Sequence, residues 1–409
     1  MLELLKDGTY IRYWLAVVAS FLGDATARVT LIYVAATLTD APALLIALVI
    51  LAQMLPAGVL AAFIGPLADH VPARVLLVGS DLARVVIVLA MIPARGSAWL
   101  LLLLILLEGV GKAFFETARI SAIPKIVGGH GIPAAVALFQ STNHTINLVG
   151  PALGGLLIAL GSVPVVLGVN AATFVVSAVL LGSMGVLREV PVAGGAGREP
   201  YWQALRTGVR GVMAVPSLRF LGAFLVPVMI VLGLFTTNLN AQLLTVFDLS
   251  ALQFGVAQAM FGAGSILGAL IGPGLVRRYS SNRLLIGAVM LFGLSLLLLG
   301  PTGWLADRLG MVVISLWCVL AGLGSGLFQV PVANTVLRDL PEELRGRGVG
   351  LLNALMVNFT VVGVIVGGVV AQLVSVAGSI IVSGLLLVIA AAAFAVVPMR
   401  RLRQSEASG

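Results

Sequence analysis

RYWLAVVASFLGDATARVTLIYVAATLTDAPALLIALVILAQMLPAGVLAAFIGPLADHVPAR, residues Arg12–Arg74, holds two long apolar runs separated by a short polar break and closed by a charged loop. An α-helix needs roughly 20 mostly apolar residues to cross a hydrocarbon core, and each run is long enough. The first run carries Asp24 and Arg28 within it and no small-residue cleavage site after it, so it is expected to be a retained helix and not a secretory leader.

The rest of the chain repeats the pattern. Of its 409 residues, 60% are hydrophobic and 10% charged, whereas a soluble domain carries about 25% charged residues. No soluble core hides that much apolar surface. The net charge of +8 does not point to nucleic acid, because the basic residues sit in short loops between apolar runs and not on one face of a domain. Cys318 is the only cysteine and lies in an apolar run, which leaves no disulfide framework and no thiol metal site.

Twelve runs qualify as spans: 12–38, 43–67, 73–94, 98–120, 133–160 and 163–186, then 218–245, 250–275, 282–302, 308–334, 347–374 and 378–397. The loops test the count. With the N-terminus inside, nineteen of the 24 basic residues fall in cytoplasmic segments, while the outer loops hold only Arg95 and Arg308. Such a bias sets orientation, and a missed helix would invert every later loop. Both termini are therefore expected in the cytoplasm. Basic residues that are mostly arginine, with abundant Ala, Gly, Val and Leu, point to a GC-rich bacterial genome and so to a bacterial cytoplasmic membrane.

The predicted organisation is all-α, with a six-helix bundle over 1–186, a cytoplasmic linker over 187–217 and a second six-helix bundle with a short basic tail over 218–409. The linker opens Gly/Pro-rich. From Tyr201 it patterns as an amphipathic helix, with Trp202, Leu205, Val209 and Val212 on one side. The two halves echo each other. GPLADHVPAR (65–74) and GPGLVRRY (272–279) follow the second helix of each half, and at one constant offset Gly150, Gly154 and Gly155 match Gly363, Gly367 and Gly368.

A parallel repeat of six-helix halves is the plan of the major facilitator superfamily, and the GxLaD…R loop resembles its signature loop. SFLGDATARV, ETARISAIPKIV, LVGPALGGLL and LPEELRGRGVGLLNAL resemble its third drug:proton antiporter family, which includes macrolide and enterobactin exporters. His70 and Pro72 stand where that loop is more often basic. The resemblance implies the major facilitator fold, pseudo-symmetric halves, alternating access, and helices 1 and 4 lining a central cavity with helix 5 beside it. It implies gating residues at the cytoplasmic junction: Asp69 and Arg74, with Asp81 and Arg84 following in helix 3 and Arg119 at the end of helix 4. Positive-inside decoration with local ion pairs is the plainer reading of these five.

An ionisable group near the bilayer centre costs about 2.5–3.5 kcal/mol on insertion scales and marks a candidate site. At about 1.5 Å per residue, Asp24 lies roughly 18 Å along helix 1 and Glu108 roughly 15 Å along helix 4. Arg28 and Lys112 follow one turn after each. Gln140, Asn143, His144 and Asn147 of helix 5 reach the same layer, and Asn238 of helix 7 faces them from the second half among neutral polar groups. These nine form the candidate proton-coupling and substrate cavity. The alternative is internal neutralisation, with Asp24–Arg28 and Glu108–Lys112 as i, i+4 pairs and the amides as interhelical hydrogen bonds. Desolvation disfavours a charged carboxyl and a nearby cation favours it, so access from either side can couple protonation to conformation.

No GxxxxGK[ST] loop, nucleophile elbow or HExxH helix occurs, so neither an enzyme nor a nucleotide-driven pump is expected. The leading expectation is proton-coupled efflux of small amphipathic or hydrophobic compounds, of drug or siderophore type, by a monomer without cofactor or bound metal. The alternatives are a lipid translocase, a ferroportin-like metal exporter, and a non-transporting receptor or scaffold.

Overall fold

Continuous helix is what hydrocarbon demands of this sequence, because a backbone N–H or C=O left unpaired in lipid costs several kcal/mol. The computed structural model describes residues 4–68, 71–188, 216–339 and 342–406. The linker with its expected amphipathic helix, Asp69 and His70 lie outside the described residues. After a short 3-10 turn at Leu4–Lys6, the first part of the chain forms α1 (Gly8–Thr37), α2 (Pro42–Ala68), α3 (Ala73–Ala94), α4 (Ala98–Gly128), α5 (Ala134–Leu160) and α6 (Val163–Gly182). The second forms α7 (Pro216–Ala241), α8 (Ala251–Val276), α9 (Ser281–Leu297), α10 (Leu299–Leu309), α11 (Met311–Asp339), α12 (Glu342–Leu373) and α13 (Val376–Glu406).

Local chemistry sets the ends. Asp7 caps α1 by accepting from the Thr9 amide at 2.8 Å. Helix runs almost unbroken from Ala98 to Leu160 and is kinked at Gly128, whose φ of +65° glycine adopts without a Cβ penalty. The ninth expected span departs from a single helix. It breaks after Leu297 and resumes as α10 with a bend of 51°. Pro301 has no N–H to offer the carbonyl of Leu297, so the i to i−4 ladder stops there, while a first helical turn accepts proline. Ten described helices are long and apolar enough to cross a membrane, and the α9–α10 pair makes eleven if taken as one span. α2, 27 residues long, occupies the remaining expected segment.

The chain divides into two compact units: 1–196 with 249–259, and 197–248 with 260–409. In the first, α1 packs on α6, α2 on α4, and α3 on both α4 and α6. In the second, α7 packs on α12, and α9 on α11 and α13. Lipid gives helices little hydrophobic drive to associate, so close contact of small residues does the work. A Cβ added at Gly154 of α5 would lie 2.8 Å from the carbonyl oxygen of Thr26 on α1, and one at Gly367 of α12 would lie 2.8 Å from Cα of Leu234 on α7. The two glycines matched by the sequence repeat thus do the same job, each inside its own unit. Large apolar side chains such as Trp99, Leu160 and Leu373 remain about four-fifths exposed, as a lipid-facing surface requires.

Candidate functional site

The site begins with a guanidinium in a place where a guanidinium has no water. Arg84, midway along α3, is wholly buried. Its Nε and Nη2 donate to Oε1 of Glu108 on α4 at 2.8 and 2.6 Å, and Nη2 also donates to Oδ1 of Asp24 on α1. Nη1 donates to Ser20 Oγ at 3.3 Å and lies 3.6 Å from Oδ1 of Asp81, one turn earlier on α3. The ring of Phe174 on α6 covers the guanidinium, 3.9 Å from its centroid. Lys112 Nζ approaches the other oxygen of Asp24 at 3.1 Å. Four helices meet at one cation.

The sequence makes room for it. A Cβ at Gly111 of α4 would stand 2.7 Å from Arg84 Cγ, and one at Gly23 of α1 would stand 2.5 Å from Oδ1 of Asn170 on α6. Glycine at these two positions lets α4 and α6 close on the network. Two clefts reach the cluster. One, with about 390 Å³ of empty space, is lined by Asp24, Arg28, Gln53, Glu108, Lys112 and Asn170 among others. The other, with about 570 Å³, is lined by Phe21, Asp24, Arg28, Lys112, Glu116, Asn143 and Asn147 among others.

The alternative reading, pairing of Asp24 with Arg28 and of Glu108 with Lys112 along each helix, does not hold among the described residues. Arg28 is exposed, lines both clefts and makes no ion pair among the described residues. Asp24 turns to Arg84 and Lys112, and Glu108 to Arg84. Side chains one turn apart share a helix face, but Arg84 fills the interior between the helices, so both carboxylates point there. Asp81 and Arg84, expected within helix 3 as gating residues, belong to this buried network. Arg119 is also buried. It pairs with Glu116 at 2.6 Å, lies over the Phe139 ring at 3.8 Å, and its carbonyl accepts from Tyr13. Arg74 is half-buried at the start of α3, and its expected partner Asp69 lies outside the described residues.

Of the α5 residues, Asn143 and Asn147 line the second cleft, and the Asn147 amide donates to Asn143 Oδ1 at 2.7 Å. Gln140 and His144 are exposed and line neither cleft. Asn238 corrects the expectation of a cavity residue. It is completely buried in the second unit, where Nδ2 donates to Ser379 Oγ at 2.8 Å and to the carbonyls of Leu234 and Gly367, so it ties α7 to α12 and α13. Sequence reasoning passed over Gln53, Glu116 and Asn170. Gln53 and Asn170 are single polar residues in long apolar runs, the signal that singled out Asp24. Among the described residues no group of three or more His, Cys, Asp or Glu side chains is placed to hold a metal ion.

Helical spans throughout the described residues, a buried charge cluster and polar clefts reaching it are the build of a multi-pass membrane transporter. The chain belongs to the Major Facilitator Superfamily, whose family profile matches residues 13–360. It is 29% identical over 324 residues to the enterobactin exporter EntS of Escherichia coli O1:K1 / APEC, covering 74% of this chain and 72% of that protein. Against the enterobactin exporter EntS of Salmonella paratyphi A it is 30% identical over 320 residues, with the same coverage. Among solved structures it resembles a bacterial homologue of the iron transporter ferroportin in an inward-facing state, with a TM-score of 0.72, 14% identity and coverage of 94% of this chain and 98% of that one. The nucleoside transporter NupG follows at a TM-score of 0.70, 14% identity, and coverage of 95% and 98%. At that identity the likeness concerns the fold alone.

Proposed function

We propose that this transporter exports small amphipathic or hydrophobic molecules, of drug or siderophore type, by proton-coupled alternating access across a bacterial cytoplasmic membrane, with both termini cytoplasmic. One observation carries the reading. Three carboxyl groups from three helices, Asp24 of α1, Asp81 of α3 and Glu108 of α4, share Arg84 beside clefts lined by two of them. A network with more acids than bases, shut away from water, has a charge balance that shifts when a cleft opens or a ligand enters. Such a shift is the coupling an antiporter needs. The exporters of enterobactin among the relatives favour the outward direction. The second cleft sets the charged and amide side chains of Asp24, Arg28, Lys112, Glu116, Asn143 and Asn147 beside Phe21 and Ile146, which suits an amphipathic ligand.

The test is a substrate screen in proteoliposomes with an imposed pH gradient, using amphipathic cations, a macrolide and a catecholate siderophore. At least one compound should accumulate only when the gradient is present, and the double variants Asp24→Asn/Lys112→Gln and Glu108→Gln/Lys112→Gln should reach the membrane yet lose that dependence. If every compound moves equally with and without the gradient, or both double variants transport like the wild type, proton coupling through this site is wrong.

A further inference from the structure

The least satisfied group in the network is not one of the cleft residues. Asp81 is fully buried and lines neither cleft. Both of its carboxyl oxygens lack a hydrogen-bond partner. Its charged neighbour on α3, Arg84, holds it only through the 3.6 Å contact of Nη1, having spent Nε and Nη2 on Glu108 and Asp24. From α1 it is faced by Asp24 and by Ser20, whose Oγ accepts from Arg84 and whose O–H remains able to donate. On α4 the charges are Glu108 and Lys112, both across the guanidinium. α6 brings Ser177 and Phe174 and has no ionisable side chain. Ser177 Oγ is itself buried without a partner.

An ionised carboxylate only accepts hydrogen bonds, whereas a protonated one also donates. A buried carboxylate held by one long cation contact, with only hydroxyls near it, neutralises itself most readily by taking a proton. Counting charges leads to the same group. Asp24, Asp81 and Glu108 face Arg84 and Lys112, so the network carries one uncompensated negative charge unless it holds a proton. Asp24 and Glu108 have short contacts to cations, and Asp81 does not.

We propose that Asp81 is the proton-binding residue of this transporter, and that Arg84 relays its charge to Asp24 and Glu108 at the cleft. The inference rests on the proton-coupled reading for its purpose but not for its test. With Asp81 protonated, its O–H is free to donate to Ser177 Oγ, and Arg84 and Lys112 together balance Asp24 and Glu108. When the helices around Asp81 open it to water and the O–H bond breaks, a water molecule takes the proton and the electron pair stays on the carboxylate. That carboxylate then competes for Arg84. The guanidinium is drawn back along α3, and negative charge returns to the two cleft residues. Proton occupancy and the cleft's affinity for a positively charged group therefore oppose each other, and linkage makes the opposition reciprocal.

The experiment is a pH titration of the full-length protein in lipid vesicles, followed by infrared difference spectroscopy in H₂O and D₂O with no substrate and no gradient. The wild type should show a carboxylic C=O band that shifts on deuteration. Charge-conserving variants identify its owner, because neutralising any one acid would alter the balance for all three. Asp81→Glu should move the band. Ser177→Ala, a mild change that spares every charge, should move it as well. Asp24→Glu and Glu108→Asp should leave its frequency in place. A band that moves with Asp24→Glu or Glu108→Asp and not with Asp81→Glu or Ser177→Ala overturns the assignment, as does the lack of any such band. The guanidinium stretch should change in the same titration, and a guanidinium band indifferent to loss of the Asp81 proton removes the relay. A band owned by Asp81 in a protein that shows no gradient-driven transport supports the proton site while ending the antiport reading.

Discussion

Asp24 of α1 accepts a hydrogen bond from Arg84 of α3, sixty residues further along the chain. That bond crosses the interior of the first unit, and Glu108 joins it from α4. A charge in such a place is tolerable only when it is paired and hydrogen-bonded. The stability of α1, α3 and α4 as a group is therefore tied to one side chain, and the predictions below start from it.

Arg84→Leu should leave Asp24 and Glu108 without their short cation contacts. Breaking one side of a buried ion network costs about 3–5 kcal/mol, so the variant should express poorly and melt far below the wild type in detergent. Arg84→Lys should fall between the two, since an ammonium keeps the charge but not the planar fork that reaches two carboxylates. A Leu variant with wild-type melting would show that the network holds nothing together.

Gly111→Ala should act on the same residue from the other side. The added methyl would meet Arg84 Cγ at 2.7 Å and Cδ at 3.2 Å, on a side chain clamped at its head. Overpacking of this kind costs about 1–3 kcal/mol. Gly79→Ala on α3, where a Cβ meets nothing within 4 Å, is the matched control and should be neutral or slightly stabilising. Thermal unfolding of the two variants side by side decides the point.

Arg28 and Lys112 should separate. Arg28 is exposed and without an ion pair among the described residues, so Arg28→Gln should change stability by no more than about 0.5 kcal/mol. Lys112→Gln removes the cation 3.1 Å from Asp24 Oδ2 and should cost visibly more in the same denaturation assay. Equal costs would restore the within-helix pairing of Asp24 with Arg28.

Asn238→Leu should lose the buried bond to Ser379 and with it roughly 0.6–1.7 kcal/mol, the range measured for interhelical hydrogen bonds in membranes. Because Asn238 ties helices together, the KM of any transported compound should stay put while the melting temperature falls. A raised KM with unchanged melting would return Asn238 to the substrate cavity.

Topology is open to a labelling test. With Cys318 replaced, single cysteines at Ala98 and Gly303 should react with a membrane-impermeant thiol reagent on intact cells, and one at Ser405 should not. Reaction at Ser405 from outside would invert the second half.

The sequence by itself determined the class. Twelve apolar runs and basic residues concentrated in alternate loops leave an α-helical membrane chain as the solution, because hydrocarbon admits few ways to satisfy a backbone. The break at Gly128 and the bend at Pro301 were legible only as residue types. The glycines of α5 and α12 were legible as a repeat, and close packing on α1 and α7 gives that repeat its reason. Asp24, Glu108 and Lys112 stood out because a charge deep in an apolar run is costly wherever it points. Their partners were not legible. Periodicity along one helix offers i, i+4 neighbours and says nothing of what a third helix inserts between them. Arg84 looked like a gating residue of helix 3 until α3 packed between α4 and α6, and Asp81 became the unsatisfied acid only when Arg84 had turned elsewhere. Which cation each carboxylate meets, and which carboxylate is left over, depends on the packing of four helices, because charges buried together are apportioned by distance in space and not by separation along the chain.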